Sequence, residues 1–253
     1  MTTTYLDVET TFVVDENRRT DPSPFNANNK LVTVQYSHNN ELPQLHWFYH
    51  KDMDEMSTEM AVGDAFNLVQ DVLDKTTLLV GHNIKFDLMW LWESGFTYDG
   101  KVYDTMIGEY MLMRGQKWGL SLYDSCVRRK VALKKSDLTH NYLKDGIGFD
   151  AMPMDVVQEY GLADIESTKQ LHLAQQEIFR NSHNSPMRKH LKLMNDFLPI
   201  LTVIERNGIK IDFTTLDKVR LDYEKEQKEL KAKMEEICRE VMGDTNVNFA
   251  SPE

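Results

Sequence analysis

Apolar positions along the chain change their period several times, and each change marks an element. Residues 3–11 alternate: Leu6 and Val8 project to one side of an extended chain, Asp7 and Glu9 to the other. Residues 12–30 are polar, contain Pro22 and Pro24, and predict a long loop. Arg18, Arg19 and Phe25 in that loop are either solvated or placed to meet a phosphate backbone or a base. The runs 31–36 and 45–49 read as strands, and Asn39-Asn40 between them supplies a turn, so the two form an antiparallel hairpin.

The period then becomes helical. Met60, Ala61, Phe66, Val69, Val72 and Leu73 line one face of a helix over 58–74. Thr77-Leu78-Leu79-Val80-Gly81 is a near-continuous apolar run, the pattern of a buried parallel strand. A helix over 84–94 ends at Gly95. A short strand, 101–103, leads to Asp104, placed to cap a helix over 105–114. Further helices are expected at 120–131, at 154–180 and at 187–206, the last with Leu191, Met194, Leu198, Leu201 and Ile204 inward. The segment 134–150 has no clear period. Asn207-Gly208 stops one helix, and Asp212 or Thr214 caps a long charged one reaching Met242.

Alternating strands and helices imply an α/β sandwich with a largely parallel sheet, and ligands in such sheets collect at the carboxyl ends of the strands. Asn184-Ser185-Pro186 places a boundary between a first domain, 1–184, and a helical region, 185–253.

Composition changes this picture little. The chain has 253 residues, 41% hydrophobic and 27% charged, an ordinary globular balance. No apolar run approaches the ~20 residues that cross a bilayer, and no signal peptide is expected ahead of the first strand. Cys126 and Cys238 match no zinc or disulfide spacing and read as free thiols of a cytoplasmic protein. The net charge of −11 argues against a nucleic-acid partner unless some of the acids hold cations that meet the phosphate themselves.

The acids have that arrangement. Asp7 and Glu9 share one face of a strand, where like charges repel; they are either surface charges or ligands of a divalent cation. In Gly81-His82-Asn83-Ile84-Lys85-Phe86-Asp87, Asn83 closes a strand and Asp87 falls in the first turn of the next helix, aimed back toward Asp7 and Glu9. Tyr160 and Asp164 are four apart on a helix and share a face. His46 and His50 have no other ligand-type residue at short spacing and are surface or packed histidines.

An Asp-x-Glu on the first strand, an Asn-x-x-Phe-Asp at a strand–helix junction and a Tyr-x-x-x-Asp on a late helix resemble the tyrosine-containing branch of the DEDD 3′–5′ exonucleases, over residues 3–180. The segments 197–201 and 204–212 resemble the junction between exonuclease and polymerase in family A DNA polymerases of the phage type. Asn248-Phe249-Ala250-Ser251-Pro252 resembles a segment of their thumb. No stretch of these residues resembles the polymerase carboxylates of palm and fingers, and the chain alone is not expected to synthesise DNA.

The resemblance implies a ribonuclease H-like (DnaQ-like) fold, with a mixed five-stranded sheet flanked by helices and a C-terminal helical arm. It implies hydrolysis of single-stranded or frayed DNA 3′ ends to 5′-mononucleotides, as in proofreading. It implies two Mg²⁺ per site, with Mn²⁺ able to substitute. Asp7 then bridges both metals, Glu9 and Asp164 complete the site that activates water, Asp87 acts mainly through a metal-bound water, and Tyr160 orients the attacking water. Leu6, Asn83 and Phe86 are expected substrate contacts, though Phe86 also reads as core and Asn83 as a strand end.

The long final helix carries Leu216, Val219, Tyr223, Leu230, Met234, Ile237 and Val241 at heptad-like spacings, interrupted by Gln227. It is expected to dock on a separately encoded polymerase subunit, to pair with itself, or to fold back locally. Two other functions compete: an exoribonuclease of the RNase D kind, which shares the acidic set, and a non-catalytic polymerase subunit acting through the arm.

Overall fold

A computed structural model describes residues 2–14, 19–39, 41–53, 55–131 and 137–243, the side chains of 55–59 excepted. Arg18, Asn40 and the thumb-like segment 248–253 lie outside the described residues. The strands are β1 (Thr3–Thr10), β2 (Val13–Val14), β3 (Thr20–Asp21), β4 (Leu31–His38), β5 (Gln44–Trp47), β6 (Leu78–Gly81) and β7 (Lys101–Asp104). The helices are α1 (Glu55–Lys75), α2 (Ile84–Glu93), α3 (Thr105–Met113), α4 (Leu122–Arg129), α5 (Asp137–Lys144), α6 (Met154–Arg180), α7 (Met187–Asn207) and α8 (Phe213–Met242).

Strand β1 is the middle of a five-stranded sheet of order β5-β4-β1-β6-β7. It pairs antiparallel with β4 and parallel with β6. The parallel pairing runs only from Thr3 to Tyr5, so the second half of β1 is paired on one edge alone. The expected long loop holds a short ribbon, β2 with β3, and then a chain of side-chain turns from Asp21 to Asn29. The segment 134–150, aperiodic in sequence, contains α5.

Alternation on β1 decides which layer each residue joins. Leu6 and Val8 enter a core with Val34, Leu79, Val69 and Leu73 of α1, and Leu88 and Leu91 of α2. Tyr5 points the other way, into a second core with Val80, Tyr103, Ile165, Phe179 and Leu191. Asp7 and Glu9 share the Tyr5 side, where α6 packs.

Helix α7 belongs with the sheet and does not start a new unit. Its buried stripe is Leu191, Asn195, Leu198 and Thr202, rotated from the expected one; Ile204 is exposed. Rotation brings polar Asn195 inward, where its Oδ1 accepts the Asp104 N–H at 2.9 Å. The compact unit therefore continues to Arg206, past the boundary that Asn184-Ser185-Pro186 suggests. A separate unit, 207–253, contains α8, none of whose described residues is buried. Among the described residues no helix is long and apolar enough to cross a membrane.

Candidate active site

The site is assembled from β1, the β6–α2 turn and α6. Pairing with β4 sets Asp7 opposite Gln35 and Glu9 opposite Thr33, before a register shift at Glu9/Thr10. Gln35 Nε2 donates to Asp7 Oδ2 at 2.7 Å, and Thr33 Oγ1 donates to Gln35 Oε1 at 2.9 Å. Gln35 thus holds Asp7 in place. Sequence reasoning passed over it, although the register of the β1–β4 pair is the signal that finds it. Gly161 lets α6 approach: a Cβ there would lie 3.1 Å from Gln35 Cδ.

From α6, Asp164 and Tyr160 meet the strand. Ligand oxygens of Asp7, Glu9 and Asp164 all lie within 4.8 Å of one another. Glu9, Tyr160 and Asp164 are buried, and Asp7 is half-buried. Burial raises the Tyr160 phenol far above its ordinary range, and the charges of Glu9, Asp164 and Asp7 add to this. A hydrogen bond to Asp164 raises it further. Tyr160 is therefore a neutral hydrogen-bonding group. Phe149 packs beside its ring, centroids 5.6 Å apart.

The β6–α2 turn delivers Asp87. Gly81 packs against β1, where an added Cβ would lie 3.1 Å from the Leu6 carbonyl oxygen. Asn83 then takes a left-handed conformation, φ 63°. Asp87, 2% exposed, reaches the half of β1 that β6 leaves unpaired, and its Oδ1 accepts the Val8 N–H at 3.0 Å. Burial raises its pKa well above the ordinary aspartate value, and Asp7 raises it further, against the opposing bond from Val8. Asp87 lies outside the three-carboxylate cluster.

Asp104 does more than cap α3. Its Oδ1 accepts from Met106 and Ile107, and also from the Asn83 N–H at 3.0 Å, so it fixes the turn that aims Asp87. Of the expected substrate contacts, Asn83 is exposed, Phe86 is half-buried against the core, and Leu6 has no exposed surface. The Leu6 side chain is a core residue in this structure, because it lies on the inward face of β1. His50 is a packed histidine, with Nε2 2.8 Å from the Met152 carbonyl.

The donor set fits a hard divalent cation. All three clustered groups are carboxylates, and crowding three anions in a semi-buried site is costly without a counter-charge.

Solved structures share this fold. A solved structure of Brucella melitensis NrnC with bound Mg²⁺ is 19% identical, with a TM-score of 0.54, covering 81% of this chain and 86% of that one. Another, Brucella melitensis NrnC bound to pGG, is 18% identical, with a TM-score of 0.55, covering 81% and 85%. A "DNA polymerase" of Bacillus phage SP01 is 24% identical over 200 residues, which are 75% of this chain and 21% of the relative. The chain thus spans about a fifth of that relative's length. The fold is DnaQ-like, of the ribonuclease H-like class. Residues 24–177, more than half of the chain, match the "3′–5′ exonuclease" family of family A DNA polymerases, and the chain belongs to that family. The match begins after β1, so Asp7 and Glu9 lie outside it and rest on the geometry above.

Proposed function

We propose that the chain removes nucleotides from single-stranded or frayed DNA 3′ ends and proofreads for a family A DNA polymerase in the host cytoplasm. The observation that carries this is the convergence of Asp7, Glu9 and Asp164 oxygens within 4.8 Å, beside the Tyr160 phenol.

Asp7, Glu9 and Asp164 would hold two divalent cations, Mg²⁺ or Mn²⁺, with Asp87 contributing through a water. Bound there, such cations lower the pKa of an attacking water and stabilise the leaving 3′-oxygen. The protein's own groups do the positioning. Gln35 orients Asp7, and the Val8 N–H orients Asp87. Tyr160, held protonated, orients the attacking water by its hydroxyl. Exposed Asn83 contacts the terminal nucleotide. A frayed end unpairs at lower cost than a matched one, which favours mismatched termini.

The phage polymerase relative supports a polymerase partner, and the exposed seam of α8, Leu216 to Val241, is the docking element proposed for a polymerase subunit or for a second copy. Light scattering and titration with a polymerase subunit test the arm.

The activity test is hydrolysis of end-labelled single-stranded DNA and RNA, with and without Mg²⁺. Release of mononucleotides from the DNA 3′ end, lost in Asp7→Ala and Asp164→Ala, is expected. Equal or faster turnover of RNA would favour the exoribonuclease reading, and metal binding without hydrolysis would favour the non-catalytic one.

A further inference from the structure

The segment 105–131, comprising α3, α4 and the loop between them, reverses the charge of the molecule. It holds five basic residues, Arg114, Lys117, Arg128, Arg129 and Lys130, against two acidic ones, in a chain of net charge −11. The segment keeps a formal excess of three positive charges, five less two. Glu109 has no exposed side-chain surface and is bonded by both Arg128 and Arg129. Burial works against its charge, but bonds from Arg129, Gln175 and Arg128 overcome this and hold its pKa below the usual range. Asp124 is exposed, accepts from Ser121 and lies against Gly119 of the same loop, so it offsets one of the cations there. Lys117 and Lys130 remain exposed.

Beside them stands Trp118, 52% exposed although large and apolar. Its loop is fixed at several points. The Arg128 guanidinium lies over the ring, 5.3 Å from its centroid, and donates to the Gly119 carbonyl. His82 Nε2 lies 2.8 Å from the Leu120 carbonyl oxygen. His82 sits between Gly81, which abuts β1 at Leu6, and Asn83, which opens α2. One hydrogen bond therefore ties the Trp118 loop to the turn that delivers Asp87.

We infer that this corner is the track for the DNA strand upstream of the scissile 3′ end, with Trp118 stacking a base and Lys117 and Lys130 meeting phosphates. The inference rests on the function proposed above. A rigid exposed indole flanked by cations is how single strands are gripped without regard to sequence, since every base offers a face to stack on. A local excess of positive charge here helps so acidic a chain hold a polyanion.

The test is fluorescence anisotropy with 5′-labelled dT12 in EDTA, beside wild-type hydrolysis of the same oligonucleotide in Mg²⁺. Trp118→Ala should weaken dT12 binding about tenfold, and Trp118→Phe should restore most of it. In Lys117→Ala/Lys130→Ala the slope of log affinity against log salt should shrink by about 1.4, two phosphate contacts at ~0.7 each. Trp118 is exposed, so unchanged thermal melts are expected. Variants that bind like wild type, while wild type hydrolyses dT12, would overturn the track and leave the exonuclease standing. Tighter binding of rU12 than dT12 would overturn the assignment to DNA. A wild type that neither binds nor hydrolyses dT12 would overturn both.

Discussion

The Asp87 carboxylate accepts the backbone N–H of Val8 at 3.0 Å, across the stretch where β6 has stopped pairing with β1. A side chain from α2 thus completes a strand edge. It also carries a charge that burial and Asp7 both disfavour. The two roles separate by substitution. Asp87→Asn keeps an acceptor for Val8 and removes the charge, so its stability in EDTA should equal or exceed wild type while hydrolysis falls at least ~100-fold. Asp87→Ala strands the Val8 N–H and should also lose ~1–3 kcal/mol. Urea melts and single-strand hydrolysis check both, and an active Asp87→Asn would remove Asp87 from the chemistry.

Metal should stabilise the fold as well as support turnover. Three carboxylates held within 4.8 Å repel until a cation joins them. Saturating Mg²⁺ should raise the melting temperature, by ~2.7 kcal/mol of linkage at 100 times the dissociation constant. Asp164→Asn should melt higher than wild type in EDTA and respond little to Mg²⁺. A wild-type melt indifferent to Mg²⁺ would count against the cluster as a metal site.

Tyr160 should contribute through its hydroxyl as a neutral phenol, because burial and three carboxylates hold its proton. Tyr160→Phe should slow hydrolysis ~10- to 100-fold with a pH–rate profile parallel to wild type up to pH ~9. Wild-type rates in the variant, or loss of an ionisation with it, would discard this role.

Much of this was legible in the sequence because it is local. The alternation of Asp7 and Glu9 and the four-residue step from Tyr160 to Asp164 follow from strand and helix periods. What was not legible depends on pairing between distant segments. Gln35 reads as a residue inside an apolar strand until β4 is laid opposite β1. Leu6 is different: it adjoins Asp7 in sequence and looks near a substrate, but the local alternation already turns it to the other face of β1, where it is buried. The buried stripe of α7 departs from its apolar positions because polar Asn195 and Thr202 are inward, where the Asp104 N–H and the Leu198 carbonyl bond them. A hydrophobic count cannot weigh those bonds.

His172 gives the fold a pH limit of its own. It is 6% exposed between Tyr5 and Tyr103, with Nδ1 3.1 Å from the Tyr5 hydroxyl, and burial lowers its pKa from 6.5 to about 4. A lowered histidine pKa means the unfolded chain binds the extra proton. The stabilisation is therefore present above pH 6.5 and lost as pH falls toward about 4, amounting to about 3 kcal/mol at most. Urea midpoints across this range should fall more steeply for wild type than for His172→Gln. Parallel curves would show that His172 does not set the limit.

The extent of the folding unit is testable by truncation. Leu191 and Leu198 of α7 are buried in the two cores on opposite faces of the sheet, and each contributes roughly 1.5–3 kcal/mol when fully buried. The Asn195 amide accepts an N–H of β7, an edge strand that would otherwise lie open to other chains. A chain ending after Arg206 should therefore melt cooperatively and retain metal-dependent hydrolysis. A chain ending after Asn184 should lose both, because those leucines and the cover over β7 go together and total stabilities are only ~5–15 kcal/mol. If the shorter chain melted as sharply as the longer one, α7 would be an appendage and the boundary would fall back to residue 184.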